Sequence, residues 1–534
     1  MRDAHAVAEV RAAESALMAQ LSEGALMQRA ASGLAAACAG LLGRTAGAGT
    51  AGRAGVYGSR VVVLAGSGDN GGDALHAGAR LAARGAVVTA ISAGSSLHEG
   101  GAAALRGAGG RLIEAADGRA RRAIGAADLI IDGLLGIGGR GGLRDPGAWL
   151  AAEAERARGL VVAADLPSGI DADTGEAAGA AVRADVTITF GIWKPGLLID
   201  PGASYAGVVE LVDIGLRQHL GPPDVAAAQA ADIAAWLPHP TAESDKYRRG
   251  VLGIVAGSDR FTGAAQLSVG AAVRGGAGMV RLVSAPPAAA VVRQHWPEAV
   301  ITTTRDTARE DTATGDTARG DAQTGGQVIE SAGQVQAWVA GPGMGTGETA
   351  AGLLAAVLAT SLPVLVDADG ITMLAAHREL LARSAPTLLT PHAGELARLL
   401  GADRADIEAH RLRFATRAAA ELGCTVLLKG STTVIASPPP DQGVLVNPTG
   451  TSWLATAGSG DVLSGLAGAL LAQGLEPLRA AAAAAYLHGI AARLAADGAP
   501  IGASDLIEAF PAAIRMVAGA RRDGASEGQE GNRG

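Results

Sequence analysis

Short runs of consecutive apolar residues recur along the chain, each closed by glycine, aspartate or a polar cluster and followed by a small-residue stretch with helical spacing. VVVLAG (61–66), LIIDG (129–133), LVVAAD (160–165) and TLLTPH (387–392) are examples. Unbroken apolar runs of this length suit strands buried on both faces of a parallel sheet, and their alternation with Ala-rich helices predicts two doubly wound α/β domains. Gly-Pro-Pro at 221–223, a short Ala-rich helix ending at Trp236-Leu237-Pro238 and a polar charged run mark the break between them. The predicted layout is a first domain over 1–220, a linker over 221–245, a second domain over 246–520 and a disordered tail over 521–534. Residues 306–325 read DTARE, DTATG, DTARG, DAQTG, a pentapeptide repeat without apolar periodicity, and predict a mobile surface insertion over about 303–326.

Three strand-to-helix turns in the second half carry candidate chemistry. In TAGSGDVLSGLAGALL (456–471) a Gly-rich turn delivers Asp461 to the start of an apolar helix. The amides of Gly458, Ser459 and Gly460, with the positive end of the helix dipole, can cradle an anionic oxygen, and the neighbouring carboxylate can take a proton from an attacking hydroxyl. LLKGSTTVIA (427–436) reads as a strand pair broken at Lys429-Gly430, with Lys and hydroxyl side chains placed to meet a phosphate. TLLTPHAGELARLL (387–400) reads as a strand ending at Thr390-Pro391-His392 and a helix opened by Glu395. Ligands of open parallel sheets bind beyond the carboxyl ends of the strands, where all three turns fall.

The first half has its own set. VVVLAGSGDNGGDALHAGARLAARGAVV (61–88) is a βαβ unit whose loop is neither GxGxxG nor a P-loop, and its polar run Asp69, Asn70, Asp73 suits a cation or sugar hydroxyls as well as a phosphate. Asp132 and Asp165 each end an apolar strand and precede a Gly- or Pro-containing loop, so both carboxylates are expected at one sheet edge with the 69–73 loop.

Six ordered motifs, YRRGVLGIVAGSDRFTGAAQLSVGAAVRGGAGMVRL (247–282), VAGPGMGTG (339–347), VLVDADGITML (364–374), TPHAGELARLLG (390–401), LLKGSTTVI (427–435) and TAGSGDVLSGLAGALLAQG (456–474), make the second half resemble the ADP-dependent NAD(P)H-hydrate dehydratases, a branch of the ribokinase-like superfamily. The first half, from LMQRAASGLA (26–35) to TITFGIWKPGLLIDPGASYAGVVELVDIGL (187–216), resembles the Rossmann-like three-layer epimerase domain of the same repair system. Together they resemble a fused bifunctional NAD(P)H-hydrate repair enzyme. The resemblance implies R-to-S epimerisation of NADH or NADPH hydrated at carbon 6 of the nicotinamide ring by the first half. It implies ADP-dependent dehydration of the S epimer, releasing AMP and phosphate, by the second.

For the second half the resemblance implies Asp461 as catalytic base and substrate contact, Lys429, Gly430, Ser431, Thr432, Thr433 and Gly460 at the nucleotide, Ala264, Gly343 and His392 at the substrate, and Mg2+ as cofactor. For the first half it implies a potassium ion held by Asn70, Asp132 and Ser168, and substrate contacts from Asp69, Asn70, Gly71, Gly72, Asp73, Gly136, Ile137, Gly138, Gly139, Arg140, Gly141, Gly142 and Asp165. Asp165 is the candidate acid or base at the hydrated carbon. Two departures stand out: the family loop NNGGDG here begins with Asp69, adding a negative charge, and the usual GGTGD turn is Ala457-Gly458-Ser459-Gly460-Asp461, which keeps the backbone donors.

Composition narrows the alternatives. With 49% hydrophobic but only 3% aromatic residues, the core is built from Ala, Val, Leu and Ile. The net charge of −8 and scattered Arg and Lys argue against a nucleic-acid partner and against a membrane-facing stripe. Cys38 and Cys424 fall in different predicted domains and make neither a disulfide framework nor a zinc site. The N-terminal residues alternate charges without an apolar signal core, and the apolar stretches 462–472 and 480–487 are too short to span a bilayer, so a cytoplasmic address is expected. A homo-oligomer is expected. The rivals are an ATP-dependent small-molecule kinase on the ribokinase-like fold and a first half that serves only as a scaffold.

Overall fold

The computed structural model describes residues 1–45, 55–94, 96–304, 324–440 and 443–530, with side chains described to residue 519 in the last helix. The pentapeptide repeat and residues 531–534 therefore lie almost entirely or entirely outside the described residues. The chain divides into two compact units, Arg2–Val225 and Ala226–Gly534.

The first unit is built on a seven-stranded sheet in the order Arg111–Glu114, Val87–Ser92, Arg60–Ala65, Leu129–Gly133, Leu160–Ala164, Val186–Phe190, Val208–Val212. All neighbours are parallel. Successive strands step outward from Arg60–Ala65 to one edge, and the chain then returns to its other side at Leu129–Gly133. The loops after these two strands diverge, opening a crevice at the carboxyl edge. The central strands are buried along nearly their whole length, as their unbroken Val, Ile and Leu runs require.

The second unit carries ten strands in the order Val225–Ala227, Val444–Asn447, Thr433–Ala436, Thr425–Leu428, Thr387–Leu389, Val364–Val366, Ala337–Ala340, Val251–Val255, Met279–Ser284, Val300–Thr303. The run from Thr387–Leu389 to Val300–Thr303 is parallel, whereas Thr425–Leu428, Thr433–Ala436 and Val444–Asn447 form an antiparallel meander. Here the order reverses between Val251–Val255 and Ala337–Ala340. Helix Ser459–Ala472 is buried all round from Val462 to Ala472, which explains a sequence too apolar and small for a surface helix.

Residues read as linker differ from that expectation. Ala226 and Ala227 pair with Leu445 and Val446, and Ile233 and Ala234 of helix Ala230–Trp236 are buried in the second unit's core. The short apolar run VAAA supplies a strand, and burial outweighs the turn signal of the preceding Gly-Pro-Pro. The tail beyond 520 enters helix Ala503–Glu530. Among the described residues one helix, Ala25–Thr45, is long and apolar enough to cross a membrane over Ala25–Arg44, a possibility not weighed from the sequence. Its Ala30, Ala31, Leu34, Ala35, Cys38, Leu41 and Leu42 are buried in the unit's core, the pattern of a packed amphipathic helix.

Candidate active sites

In the first unit, the turn after Arg60–Ala65 leads directly into helix Asp69–Ala83, so Asp69, Asn70, Gly71, Gly72 and Asp73 form its opening turns. Close approach fixes one of the glycines: a Cβ on Gly71 would stand 2.2 Å from the Gly66 carbonyl oxygen. Across the crevice, Asp132 is fully buried in its strand. It accepts hydrogen bonds at Oδ1 from Ser168 Oγ (2.7 Å) and Leu134 N (3.2 Å), and at Oδ2 from Ser168 N (2.8 Å). Asn70 Nδ2 donates to Leu135 O at 2.9 Å, and Ser168 Oγ lies 3.0 Å from the same oxygen. Asn70, Asp132 and Ser168 are thus brought together around the Leu135 backbone. Burial pushes the Asp132 carboxyl up to about 6, against the pull of the Ser168 and Leu134 hydrogen bonds.

Asp165 follows the next strand and adopts φ +65°, a left-handed conformation that a non-glycine residue holds only when its surroundings fix it. What fixes it is Lys194, 1% exposed and absent from the sequence-predicted set. Its ammonium donates to Asp165 Oδ1, to Thr189 Oγ1 (3.0 Å) and to Phe190 O (3.0 Å), satisfying all three protons. Asp165 Oδ1 also accepts from Phe190 N at 3.0 Å and Thr189 Oγ1 at 3.1 Å.

Two further carboxyls share this field. Asp73 is raised well above the ordinary carboxylate range by burial and then by the charges of Asp165, Asp69 and Glu14, and its Oδ1 is buried without a hydrogen-bond partner. Glu14, on helix Val7–Met18, is raised by burial, with Lys194 and Arg11 opposing and Asp165 and Asp69 adding to the rise. Nothing local in the sequence ties Glu14 to residues 150 positions away. Lys194 had a weak signal as a lone cation at the end of a buried strand.

In the second unit, consecutive parallel strands end at Asp367, at Thr390-Pro391-His392 and at Lys429. Lys429 N donates to Pro391 O at 2.8 Å, which draws the last two turns together. Asp367, 1% exposed, accepts from Lys429 Nζ at 2.8 Å on Oδ1 and from Ser464 Oγ at 2.7 Å on Oδ2, and Glu395 Oε2 lies 3.9 Å from Lys429 Nζ. Burial works against the Lys429 charge, but Asp367, Glu395 and Asp461 more than offset it and its pKa lies above the usual value. Asp367, Asp369 and Ser464 were not in the predicted set. Asp367 was findable by the strand-end rule that picked out Asp132 and Asp165.

His392 is the N-cap of helix Ala393–Leu400. Its Nδ1 accepts from Gly394 N (3.0 Å) and Glu395 N (3.2 Å), while Glu395 Oε2 accepts from His392 N (2.8 Å), a reciprocal capping box. Burial lowers its pKa, Glu395 opposing, so the ring is neutral with Nδ1 unprotonated. Part of the ring remains exposed beside Lys429.

Gly458, at φ +87°, takes the left-handed turn that starts helix Ser459–Ala472 without a side-chain cap. The Ser459 amide points to Thr456 O at 3.4 Å, leaving the Gly460 and Asp461 amides as first-turn donors. Beneath the turn the buried His488, lowered to about 4 by burial and hence neutral, pairs Nε2 with Ser459 O at 3.0 Å and braces the backbone. A Cβ on Gly460 would lie 3.4 Å from Lys429 Nζ, so Lys429, Gly460 and Asp461 meet. Burial first, then Asp367, push Asp461 up to about 7, Lys429 pulling the other way. Ala264, near the start of helix Thr262–Arg274, lies against Gly343: a Cβ on Gly343 (φ +56°) would stand 2.7 Å from that of Ala264. Both lie at the switch point of the sheet. In the Lys429–Thr433 turn, Gly430 and Ser431 are exposed, Lys429 and Thr433 are partly exposed and Thr432 is buried.

Comparison with known proteins gives matches to both units. The family described as NAD(P)H-hydrate dehydratase matches residues 252–511, and the family described as YjeF-related protein N-terminus matches residues 23–196. A bifunctional NAD(P)H-hydrate repair enzyme of Mycobacterium tuberculosis is 47% identical over 485 residues, covering 90% of this chain and 92% of the relative. Its Mycobacterium leprae counterpart is 46% identical over 504 residues, covering 94% and 96%. Among solved structures, an ADP/ATP-dependent NAD(P)H-hydrate dehydratase of Bacillus subtilis, co-crystallized with ATP and Mg2+, is 29% identical, with a TM-score of 0.46 over 55% of this chain and 99% of that one.

Proposed function

The chain belongs to the family of bifunctional NAD(P)H-hydrate repair enzymes, and we propose that its two crevices divide the repair, Asp165 serving epimerisation in the first unit and Asp461 dehydration in the second. It is an enzyme with an epimerase and a nucleotide-dependent dehydratase domain, and the kinase and scaffold alternatives are not favoured. The epimerase reading covers the Arg2–Val225 unit and the dehydratase reading the Ala226–Gly534 unit, the run 226–245 going with the second.

The observation that carries the dehydratase assignment is a carboxyl pushed up to about 7, beside Lys429 and the uncapped start of a helix. A base poised there is half ionised at neutral pH and can take the proton of the substrate's C6 hydroxyl. That oxygen attacks the terminal phosphorus of ADP as the bond to AMP breaks. It then leaves carbon 6 as phosphate, pushed by the ring nitrogen's lone pair, and loss of a C5 proton restores the ring double bond. The Gly460 and Asp461 amides steady the phosphoryl oxygens. Lys429 and the 430–433 turn hold the nucleotide's phosphates, and Ala264, Gly343 and His392 line the substrate side. Asp367 has both oxygens engaged by Lys429 and Ser464, and Asp369 Oδ2 accepts from Gly345 N. Mg2+ therefore fits as an ion carried by the nucleotide's phosphates and not in a cage of protein ligands.

In the first unit, the oxygens of Asp132, Ser168 and Leu135 converge beside Asn70, whose Nδ2 donates to Leu135 O; with the Asn70 amide turned to present Oδ1, the set would be all-oxygen and, with a buried carboxylate in it, would suit a hard monovalent cation. Potassium there would neutralise Asp132 and fix the loop that follows it. Asp165, held against Lys194, faces the hydrated carbon as the acid or base, with residues 69–73 and 136–142 around the substrate. The family reading also carries a cytoplasmic address and a homo-oligomeric assembly, the latter checked by sedimentation of the full chain.

Two variants of the full chain test the division. Asp461→Asn retains R/S interconversion and loses NADH recovery, while Asp165→Asn keeps recovery from S and loses interconversion. Loss of both activities in either variant, with the fold intact, would refute two separate sites.

A further inference from the structure

The epimerase crevice is strongly acidic: Asp69, Asp73, Asp165 and Glu14 share it. Its buried cation, Lys194, is already committed to Asp165, Thr189 and Phe190. A dinucleotide brings two more negative charges on its pyrophosphate, so the site needs cations of its own. They are present at one end. A cavity of about 60 Å³ is lined by Arg11, by Ile137, Gly138, Gly139 and Arg140 of the glycine loop, and by Asp171 and Asp173.

The guanidinium groups of Arg11 and Arg140 have no hydrogen bond or ion pair among the described residues. The same holds for the amides of Ile137, Gly138, Arg140, Gly141 and Gly142, Gly139 N alone turning inward to Gly136 O at 2.9 Å. Successive free amides around a glycine loop form an anion-binding concavity. A Cβ on Gly138 would stand 2.8 Å from Arg11 Nη2, so the tip of the arginine lies across this step of the loop. Each of the two aspartates has one oxygen engaged by backbone amides: Asp171 Oδ1 accepts from Asp173 N (2.9 Å) and Thr174 N (3.0 Å), and Asp173 Oδ1 from Val7 N (2.6 Å). That last bond anchors the helix that carries Arg11.

We propose that Arg11, lying over the Gly138 step of the 136–142 loop, is a substrate-binding residue that clamps the pyrophosphate of the hydrated dinucleotide in the epimerase domain. This deepens the epimerase reading and rests on it. The clamp offsets the extra negative charge of Asp69 and leaves the acidic end of the crevice to the nicotinamide ring.

The test is R/S interconversion by the full chain without nucleotide, so that the dehydratase stays silent, with the epimers separated by chromatography. Arg11→Ala is expected to raise KM about tenfold, the size of one charge-assisted hydrogen bond, for NADH hydrate and NADPH hydrate alike, with kcat nearly unchanged. Arg11→Lys recovers part of the loss. Arg11 is exposed, so both variants fold. An unchanged KM, a rise confined to NADPH hydrate, which would mark the 2′-phosphate instead, or a fall in kcat alone would overturn the proposal. An inactive wild type would instead overturn the epimerase reading beneath it.

Discussion

Asp461 offers a prediction in which activity and stability move in opposite directions. An aspartate in an unfolded chain titrates near 4, whereas the folded site pushes this one up to about 7, first by burial and then through Asp367. Folding therefore tightens proton binding. Below both values the side chain is neutral in either state and costs nothing. As pH rises past the unfolded value the unfolded chain ionises freely while the folded one resists, so stability falls until about pH 7 and stays low above it. The full penalty is ~4 kcal/mol, a ceiling reduced by whatever water reaches the carboxylate. Asp461→Asn removes it. The variant's dehydratase transition should sit above the wild type's at pH 8, by up to roughly 8 °C at about 2 °C per kcal/mol for a unit of this size, and the gap should narrow toward pH 5. NADH recovery should nevertheless fall about 10²–10⁴-fold, the worth of a general base. In the wild type, kcat/KM for dehydration should drop about tenfold per unit below pH 7 as the base is protonated. Scanning calorimetry of the full chain from pH 5 to 8.5, with the dehydratase transition identified by its shift on adding ADP, checks both. A melting difference that does not change with pH would refute the assigned burial of charge, and an Asp461→Asn protein of normal rate would refute the base.

Lys194→Met strands Asp165 without its cation and should cost the first unit about 3–5 kcal/mol, part of which returns in Lys194→Met/Asp165→Asn; equal melting of single and double variants would contradict the pairing. Gly71→Ala places a methyl 2.2 Å from the Gly66 oxygen and should abolish epimerisation while dehydration of the S epimer continues, read by assaying each epimer separately. Cys38 and Cys424 are buried, with thiols pushed up to about 12 by burial, so neither should react with a disulfide reagent at pH 8 until the chain is unfolded.

Much of the candidate chemistry was legible because it sits where local sequence and topology coincide. An aspartate closing an apolar run lies at the carboxyl edge of a parallel sheet, and a Gly-rich turn before an apolar helix exposes amides; these two rules find Asp132, Asp165 and Asp461. They would also find Asp367 had VLVDAD been read for its carboxylate and not only as a family motif. What sequence could not convey is which distant side chains complete each pocket. Glu14 and Arg11 enter from a helix far upstream of Asp165, and Lys194 acts only because folding buries it against that carboxylate. His392 illustrates a second limit, since the motif that marks it for substrate also makes it the cap of its own helix. Residues 225–236 show a third: turn signals located the boundary region, but pairing of Ala226 and Ala227 with Leu445 and Val446 assigned the run to the second unit.

The central claim, two active sites acting in sequence on one damaged cofactor, is tested most directly by near-ultraviolet absorbance. A mixture of R and S NADH hydrate is incubated with the full chain, potassium, magnesium and ADP. Complete recovery of the NADH absorbance, beyond the S fraction and faster than spontaneous epimerisation, is the predicted result; recovery that stops at the S fraction, or none at all, would contradict it.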